Sequence, residues 1–223
     1  MSTGNTTNVL KAAGVAVATA ALAMELDKRH SVRHDLKLGR KLVASAKDMR
    51  RTMTQGLTVA DGWEEVVDHR PDQLAIVFVE DDSSNTRSFT YKQLDDWANQ
   101  VAHFLSSAGV KKGEDVALFM ENRPEFIGTW LGIAKIGARV AMINTAVKEK
   151  GLIHCIQATS SRYVIYGKEL EEPFNAIRAS LGPVRCWVQG STAAEDAEQS
   201  MDVLIRSFPT TRPPRLIRNG VTP

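Results

Sequence analysis

The chain has 223 residues, of which 43% are hydrophobic and 24% are charged, and this composition excludes a mainly disordered or low-complexity protein. The formal net charge of +2 is too small to favour nucleic acid as a partner. The two cysteines, Cys155 and Cys186, are too few for a disulfide framework and lack metal-ligand spacing, which is consistent with a reducing compartment.

The first element is an uncharged, alanine-rich stretch at residues 12–24, bounded by Lys11 and Glu25. As a helix it would span roughly 20 Å, against about 30 Å for the hydrocarbon core of a bilayer. Three interpretations stay open: a marginal signal anchor, an interfacial helix, or a cleaved signal peptide with Ala21–Ala23 as the cleavage site. We expect residues 1–27 to form an apolar, membrane-associated segment.

A strongly basic stretch follows, with nine basic residues against two acidic ones between Lys28 and Arg51. Apolar residues recur between these charges at helical spacing, which predicts an amphipathic helix over residues 31–54 that lies on an anionic leaflet. Basic residues beside an apolar segment mark its cytoplasmic side, so we expect the globular part in the cytosol, at the endoplasmic reticulum or plasma membrane. The alternative is a solvated basic helix packed on its own domain. His30 and His34 are one helical turn apart, but no further ligand lies near them and no metal site is predicted.

The globular part is predicted to begin near Val59 and to open with a β-hairpin. Leu74–Val79 is a short apolar run typical of a buried strand, and turn-forming residues separate it from a second short run at Phe89–Tyr91. Thr90 and Gln93 have the form of a capping box, in which each side chain bonds the main-chain amide of the other residue. A helix is therefore predicted to begin there.

Helices and strands alternate along the rest of the chain. The helices are predicted at 90–108, 124–136, 148–158 and 170–181, and the strands at 116–120, 139–143, 162–166 and 184–188. This alternation predicts an α/β fold with a partial doubly wound, mostly parallel sheet that is covered on both faces. Gly128 and Gly132 share a helix face, which predicts close packing against the sheet. Trp97 and Trp130 are predicted to lie in the core.

The chemically active side chains all have ordinary structural explanations. Arg123 could touch a phosphate, but an arginine at a helix start is expected to cap or pair. Asn144 is expected to hold a strand-to-helix turn by bonding the main chain. Neighbouring side chains diverge, so neither acid–base nor nucleophilic chemistry is predicted at three adjacent pairs: Asp81–Asp82, Asp95–Asp96 and His154–Cys155. We assign no catalytic, cofactor-binding or metal-binding residue.

The residues from Phe89 to Tyr166 resemble a known family. The string FTYKQLDDWANQVAHFLSSAGVKKGEDVALFMENRPEFIGTWLGIAKIGARVAMINT resembles the N-terminal lobe of the adenylate-forming enzymes. Its continuation, INTAVKEKGLIHCIQATSSRYVIYG, resembles the fatty acid transport proteins, which are very long-chain acyl-CoA synthetases. The resemblance covers roughly residues 65–190. Ala146 and Val147 depart from it, because the family has an asparagine and an arginine-rich turn at this place.

The resemblance implies a membrane-associated ligase that takes up and activates long-chain fatty acids. Such an enzyme uses ATP and Mg²⁺ to form an acyl-adenylate and CoA to form the acyl-CoA, and self-association is left open. The phosphate loop of the family, Thr-Ser-Gly-Thr-Thr-Gly-Leu-Pro-Lys, does not occur in this sequence, and residues 208–223 resemble the linker that precedes it. We therefore expect a fragment of such a ligase with little activity of its own. The alternative is a non-catalytic module that binds a membrane or a partner.

Four segments are expected along the chain. They are an apolar membrane segment at 1–27, a basic amphipathic linker at 28–58, a partial adenylate-forming N-terminal lobe at 59–206, and a tail rich in proline and arginine at 207–223.

Overall fold

The structure is a computed structural model that describes residues 25, 32–55, 57–80, 85–191 and 200–214. The apolar segment predicted at 1–27, the acid pair Asp81–Asp82 and the histidine His30 lie outside these residues, Glu25 excepted. Within the described part of the chain, no helix has both the length and the apolar character needed to cross a membrane. The chain divides into two compact units, Met1–Leu57 and Thr58–Pro223.

The first unit contains one long described helix, α1 (Val32–Gln55), where the sequence predicts a helix over 31–54. Its polar and apolar residues lie on different sides of the helix, as the spacing indicates. Large apolar side chains on this helix are nonetheless exposed: Leu36, Leu38, Leu42, Val43 and Met49.

The second unit opens with helix α2 (Val59–His69) and an antiparallel ribbon of β1 (Leu74–Val79) and β2 (Thr86–Thr90). This confirms the predicted hairpin. The burial expected of β1 is wrong, because Leu74, Val77 and Val79 are exposed in this two-stranded ribbon. Strand β2 begins at Thr86, three residues before the predicted start, and Thr86 is paired with Val79. The residues at the start of β2 are polar and pair with β1 through their main chain. The apolar run at Phe89–Tyr91 therefore does not show where the strand begins.

Helix α3 (Tyr91–Ser107) begins at the predicted capping box. The main-chain N–H of Gln93 donates to Thr90 Oγ1 over 3.2 Å, and the N–H of Thr90 donates to Gln93 Oε1 over 2.8 Å. Gly109 follows the helix with a φ of +94°, which a glycine adopts without steric cost.

The elements from β3 to β6 confirm the predicted alternation, with ends that differ by at most three residues. They are β3 (Asp115–Phe119), α4 (Pro124–Lys135), β4 (Arg139–Met142), α5 (Glu149–Ala158), β5 (Tyr163–Gly167), α6 (Glu171–Arg178) and β6 (Arg185–Gln189). A short helix that was not predicted, α7 (Met201–Leu204), follows them. The four strands form one sheet in the order β4-β3-β5-β6, and every neighbouring pair is parallel. The predicted α/β fold with a parallel sheet is therefore confirmed.

Both faces of this sheet are covered, because successive side chains of a strand point to opposite faces. Val116 and Leu118 of β3 belong to a core cluster with residues of α3 and α4. Ala117 and Phe119, also on β3, belong to a second cluster with residues of α5 and α6. Trp97 and Trp130 are partly buried and pack against the first cluster, so they lie at the rim of the core rather than at its centre.

The two glycines of α4 pack closely, as predicted, but the predicted partner is wrong. A Cβ on Gly128 would lie 2.4 Å from Trp97 Cδ1, and one on Gly132 would lie 2.6 Å from Val101 Cγ1. Both contacts are with α3 and not with the sheet. Helices α3 and α4 cover the same face of the sheet side by side, and small residues let their backbones approach.

Candidate functional site

The carboxyl ends of the parallel strands form the place where such sheets usually bind ligands, at the point where the strand order reverses. Here the chain passes from β3 to β4 on one side and then to β5 on the other side of β3. The reversal therefore lies between β3 and β5, and the residues that follow these two strands line the crevice.

Arg123 connects the ends of the three strands β3, β5 and β6. It follows β3, and its Nη2 lies 3.0 Å from Glu169 Oε2, after β5. The same nitrogen donates to the carbonyl of Gln189, the last residue of β6, over 3.1 Å. Glu169 also accepts from the main-chain N–H of Glu121 over 3.0 Å. The prediction that Arg123 pairs at the helix start is therefore confirmed.

Asp202 of α7 completes the group. Its two carboxylate oxygens accept from Gln189 Nε2 over 3.0 Å and from the N–H of Gly190 over 2.6 Å. Gly190 has a φ of +92°, and a Cβ there would lie 2.9 Å from Arg123 Nη1, so both the backbone and the space require glycine. We call Arg123, Glu169, Gln189 and Asp202 the carboxyl-end cluster.

Two buried atoms of this cluster have no hydrogen-bond partner among the described residues, Arg123 Nε and Gln189 Oε1. An unsatisfied buried polar atom costs about 1–3 kcal/mol. A ligand that offers one acceptor and one donor would remove that cost, so the cluster is suited to binding. The guanidinium of Arg123 is already balanced by Glu169, which leaves no net positive charge to hold a phosphate.

A cavity of ≈ 220 Å³ adjoins Arg123. Its other walls are largely apolar: Ile76, Phe78, Asn122, Pro124, Phe126 and Ile127. Sites for drug-sized ligands are usually about 300–1,000 Å³, so this cavity is smaller than most of them.

Asn144 lies after β4, at the same edge of the sheet. Its Oδ1 accepts the main-chain N–H of Ala146 over 2.9 Å, which confirms that it holds the strand-to-helix turn. This bond lies in the turn where Ala146 and Val147 depart from the family pattern.

A second concentration of charge lies on α2, α3 and α4. The side chain of Lys135 is fully buried, and its ammonium lies 2.6 Å from Glu64 Oε1 and 2.9 Å from Asp95 Oδ1. Trp63 Nε1 donates to the same Asp95 oxygen over 2.9 Å. Asp96, by contrast, pairs with Lys92 at the surface, so the members of the Asp95–Asp96 pair diverge as predicted.

The sequence did not indicate that Asp95 is buried, although a signal exists. Asp95 and Asn99 are four residues apart on the same helix face as the buried Leu94, Ala98 and Ala102. Polar residues on a buried face need partners, and partners four residues apart on a helix can bond each other. Asn99 Nδ2 does donate to Asp95 Oδ2 over 3.2 Å.

The two cysteines differ in burial. Cys186 is buried, and burial raises the pKa of its thiol, which makes it a poor nucleophile. Cys155 is partly buried. In the segments that the structure describes, no group of three or more His, Cys, Asp or Glu side chains is placed to hold a metal ion.

Comparison with known proteins identifies relatives of the chain. Residues 63–214 match the model of a family described as AMP-binding enzyme. Long-chain fatty acid transport protein 1 of Rattus norvegicus is 30% identical over 174 residues, which cover 76% of this chain and 26% of the rat protein. Long-chain fatty acid transport protein 6 of Homo sapiens is 39% identical over 94 residues, or 42% of this chain and 15% of the human protein. The chain thus spans about a quarter of the length of the rat relative.

Solved structures agree with this assignment. The anthranilate CoA ligase AuaEII, solved in complex with anthranoyl-AMP, superposes with a TM-score of 0.62 and 29% identity over 70% of this chain and 29% of that chain. The Mycobacterium tuberculosis fatty acyl CoA synthetase superposes with a TM-score of 0.59 and 29% identity over 72% of this chain and 30% of that chain. The chain therefore belongs to the AMP-binding enzyme family, and within it resembles the long-chain fatty acid transport proteins and CoA ligases.

Proposed function

We propose that this chain is the N-terminal part of an adenylate-forming ligase that joins a long-chain fatty acid to CoA. The observation that carries the proposal is the family match over residues 63–214, which spans the whole sheet β4-β3-β5-β6 and its crevice. The matches to fatty acid transport proteins favour a long-chain fatty acid as the substrate.

In the proposed reaction, a carboxylate oxygen of the fatty acid attacks the α-phosphate of ATP, and pyrophosphate leaves. The CoA thiol then attacks the acyl carbon, loses its proton and displaces AMP. Mg²⁺ would reduce the charge on the phosphates. The carboxyl-end cluster does not fit a triphosphate by itself, because Glu169 balances Arg123 and Asp202 adds a second carboxylate. We therefore propose that this chain provides the scaffold that shapes the crevice, and we assign no nucleotide contact to its residues.

The scaffold has a definite task in this proposal, which is to hold the loops after β3, β5 and β6 in fixed relative positions. Arg123 bonds the loop after β5 and the end of β6 at once. Asp202 fixes the turn at Gly190 through the main chain. Groups that react must be held to within a fraction of an ångström, so a displaced loop would reduce activity even without touching the substrate.

The test is a chimera in which residues 63–214 replace the matching segment of the rat fatty acid transport protein. We expect oleate-dependent exchange of pyrophosphate into ATP by the chimera, and none by the chain alone. Synthesis of oleoyl-CoA by the chain alone would show that the expected requirement for a phosphate loop outside this chain is wrong. A chimera that unfolds cooperatively but has no exchange activity with oleate would refute the proposed function.

Two glycine variants of the chimera test the task of the scaffold. Gly190→Ala and Gly113→Ala both place alanine at a positive φ, +92° and +82°, and so have a similar backbone cost. Only the methyl group at position 190 meets Arg123; the one at position 113 meets no atom within 4 Å. We expect Gly190→Ala to lower the exchange rate well below that of Gly113→Ala, and equal rates would contradict the role of the cluster.

A second candidate function is docking to an anionic membrane surface through α1. Leu36, Leu42 and Val43 are 62–71% exposed and lie on one side of this helix, while basic residues such as Lys37 and Lys41 lie on the other. A helix with an exposed apolar face and a basic face is typical of peripheral membrane binding. The membrane would be the endoplasmic reticulum or plasma membrane, with the second unit in the cytosol.

Vesicle flotation tests this second function. The full chain is expected to float with phosphatidylserine-containing vesicles, and less with purely phosphatidylcholine vesicles. Leu42→Gln should reduce flotation, whereas Leu74→Gln, which changes a similarly exposed leucine in the other unit, should not. Equal flotation of both variants, or of a chain without residues 1–54, would refute membrane docking through α1.

A further inference from the structure

A short segment after α7 lies along one face of α3 and is held there through its main chain. This segment, residues 208–212, is called the strap. Three side chains of α3 bond its carbonyl oxygens: Gln100 Nε2 that of Phe208 (3.1 Å), Asn99 Nδ2 that of Thr210 (2.7 Å) and His103 Nε2 that of Thr211 (2.9 Å). Carbonyl oxygens are present in every residue, so these bonds recognise the course of the main chain and not a particular sequence.

The two ends of the strap are held by their side chains. At one end the ring of Phe208 packs edge-on against Phe104, with centroids 5.9 Å apart. At the other end the guanidinium of Arg212 donates to both carboxylate oxygens of Asp68, over 2.8 and 3.2 Å. It also lies 3.4 Å from Asp95 Oδ2 and donates to the main-chain carbonyl of Glu64 over 3.3 Å.

The charges around Arg212 explain why an arginine is held there. Glu64 and Asp95 are buried with one lysine, Lys135, between them, so this trio carries a net charge of −1. Asp68 at the surface adds another negative charge. Buried carboxylates are stable only when their charge is balanced, and a planar guanidinium can bond a carboxylate with two parallel N–H groups. We call Glu64, Asp68 and Asp95 the acidic recess.

The recess and the adjoining groove are accessible. Arg212 keeps 30% of its side chain exposed and Asp68 keeps 57%. A cavity of ≈ 410 Å³ opens beside the strap, and Asp68, Asn99 and Arg212 contribute to its walls. Asn99 Oδ1 is buried without a hydrogen-bond partner among the described residues, so the strap leaves one acceptor of the groove unused. A different occupant with a suitable donor could use it.

We propose that the groove formed by α2 and α3 is a binding site for an irregular peptide segment with an aromatic residue followed four positions later by an arginine. The strap is its occupant in the same chain, and it is held reversibly, with Arg212 as the latch. Release of the latch frees the chain on both sides of Arg212, including Pro213, so a competing segment of the same chemistry controls the path of the chain that follows.

The first experiment measures strap release in the full chain, with 4-fluorophenylalanine at position 208 as a ¹⁹F NMR probe. We expect Arg212→Ala to raise the released fraction about tenfold or more, which corresponds to a hydrogen-bonded charged pair. Asp68→Asn, at an exposed carboxylate, should raise it without disturbing the buried trio. Arg206→Ala, at an exposed arginine just before the strap, is the matched control and should leave the spectrum unchanged.

Chemical rescue distinguishes a guanidinium site from a general preference for positive charge. Millimolar methylguanidinium should return the ¹⁹F signal of Arg212→Ala towards the bound position, whereas methylammonium at the same concentration should not. Equal rescue by both ions would overturn the assignment of a guanidinium site. An unchanged ¹⁹F spectrum in both Arg212→Ala and Asp68→Asn would show that the latch does not hold the strap.

The second experiment adds the strap in trans, as an acetylated and amidated peptide of sequence SFPTTRPP. It should bind the Arg212→Ala chain at least several-fold more tightly than the wild type, because the strap of that chain competes less. Binding to Asp68→Asn should be no tighter than to the wild type, because this substitution also removes the carboxylate that would hold the arginine of the peptide. The same peptide with alanine in place of its arginine is the control and should bind at least about tenfold more weakly to Arg212→Ala. Equal binding of the two peptides to Arg212→Ala would overturn the proposal.

Discussion

Replacement of Lys135 by methionine tests how strongly the buried charges hold α2, α3 and α4 together. The lysine side chain is fully buried, and its ammonium lies 2.6 Å from Glu64 and 2.9 Å from Asp95. Methionine fills most of the same volume but has no charge. The variant therefore leaves two buried carboxylates without the lysine, and the partly exposed guanidinium of Arg212 lies 3.9 and 3.4 Å from them.

The expected loss in the free energy of unfolding is about 3 kcal/mol. Removing one partner of a buried ion pair costs about 3–5 kcal/mol, because the remaining charge stays buried without compensation. Arg212 supplies part of that compensation, which places the estimate at the lower end. Lys92→Met is the matched control: it breaks an exposed pair with Asp96, four residues away on the same helix, and should cost only about 0.3–0.5 kcal/mol.

Urea unfolding at neutral pH, followed by circular dichroism, measures both variants. The midpoint should fall far more for Lys135→Met than for Lys92→Met, with unchanged slopes, since the slope reports the surface exposed on unfolding. Adding Asp95→Asn to Lys135→Met removes one uncompensated carboxylate and should recover part of the loss. A loss for Lys135→Met no larger than that for Lys92→Met would refute the reasoning.

Three further outcomes are expected. Gly132→Ala should lower the free energy of unfolding by about 1–3 kcal/mol, because its methyl group would lie 2.6 Å from a side-chain carbon of α3. Gly62→Ala, whose methyl group would meet no atom within 4 Å, should raise it by about 0.5–1 kcal/mol. Similar effects of the two variants on the urea midpoint would contradict the close helix contact. Burial acts to raise the pKa of Glu125, but the bonds from Arg87 and the main chain together lower it below its ordinary value of 4.5. The stabilising contribution of Glu125 is therefore present above about pH 4.5 and disappears as the pH falls through the lowered pKa. In that pH range the Tm of the wild type should fall with pH, and the Tm of Arg87→Met should fall less steeply. An equally steep fall in both proteins would contradict this pairing. Cys186 should react with Ellman's reagent more slowly than the other cysteine in the folded chain, and at a comparable rate in urea; equal rates in the folded chain would argue against its burial.

The helices and strands could be predicted because their signals are local. The capping box at Thr90 and Gln93 involves residues three positions apart, and the apolar runs of the buried strands are continuous in sequence. The first residues of β2 have no such local signal and could not be predicted. Thr86 is polar, and only its pairing with Val79 on the neighbouring strand makes it part of the ribbon.

The partners of the polar side chains could not be predicted, because they depend on distant parts of the chain. Glu64 and Lys135 are 71 residues apart in sequence and form a buried bond, and Arg212 reaches the carbonyl of Glu64 across 148 residues. Asp95 and Asp96 are adjacent in sequence, yet Asp95 is buried in a charge network and Asp96 lies at the surface. Which of the two faces inward follows from how α3 packs on α2 and α4.

The sequence by itself determined the order of the elements from β1 to β6, the parallel α/β class and the family, because each of these depends on residue patterns that are continuous along the chain. Tertiary structure alone decided that the glycines of α4 meet α3, that Arg123 connects the ends of the strands, and that Arg212 holds the strap in the acidic recess. The physical reason is that burial and charge pairing are properties of groups brought together in space. No spacing along the chain specifies which groups those will be.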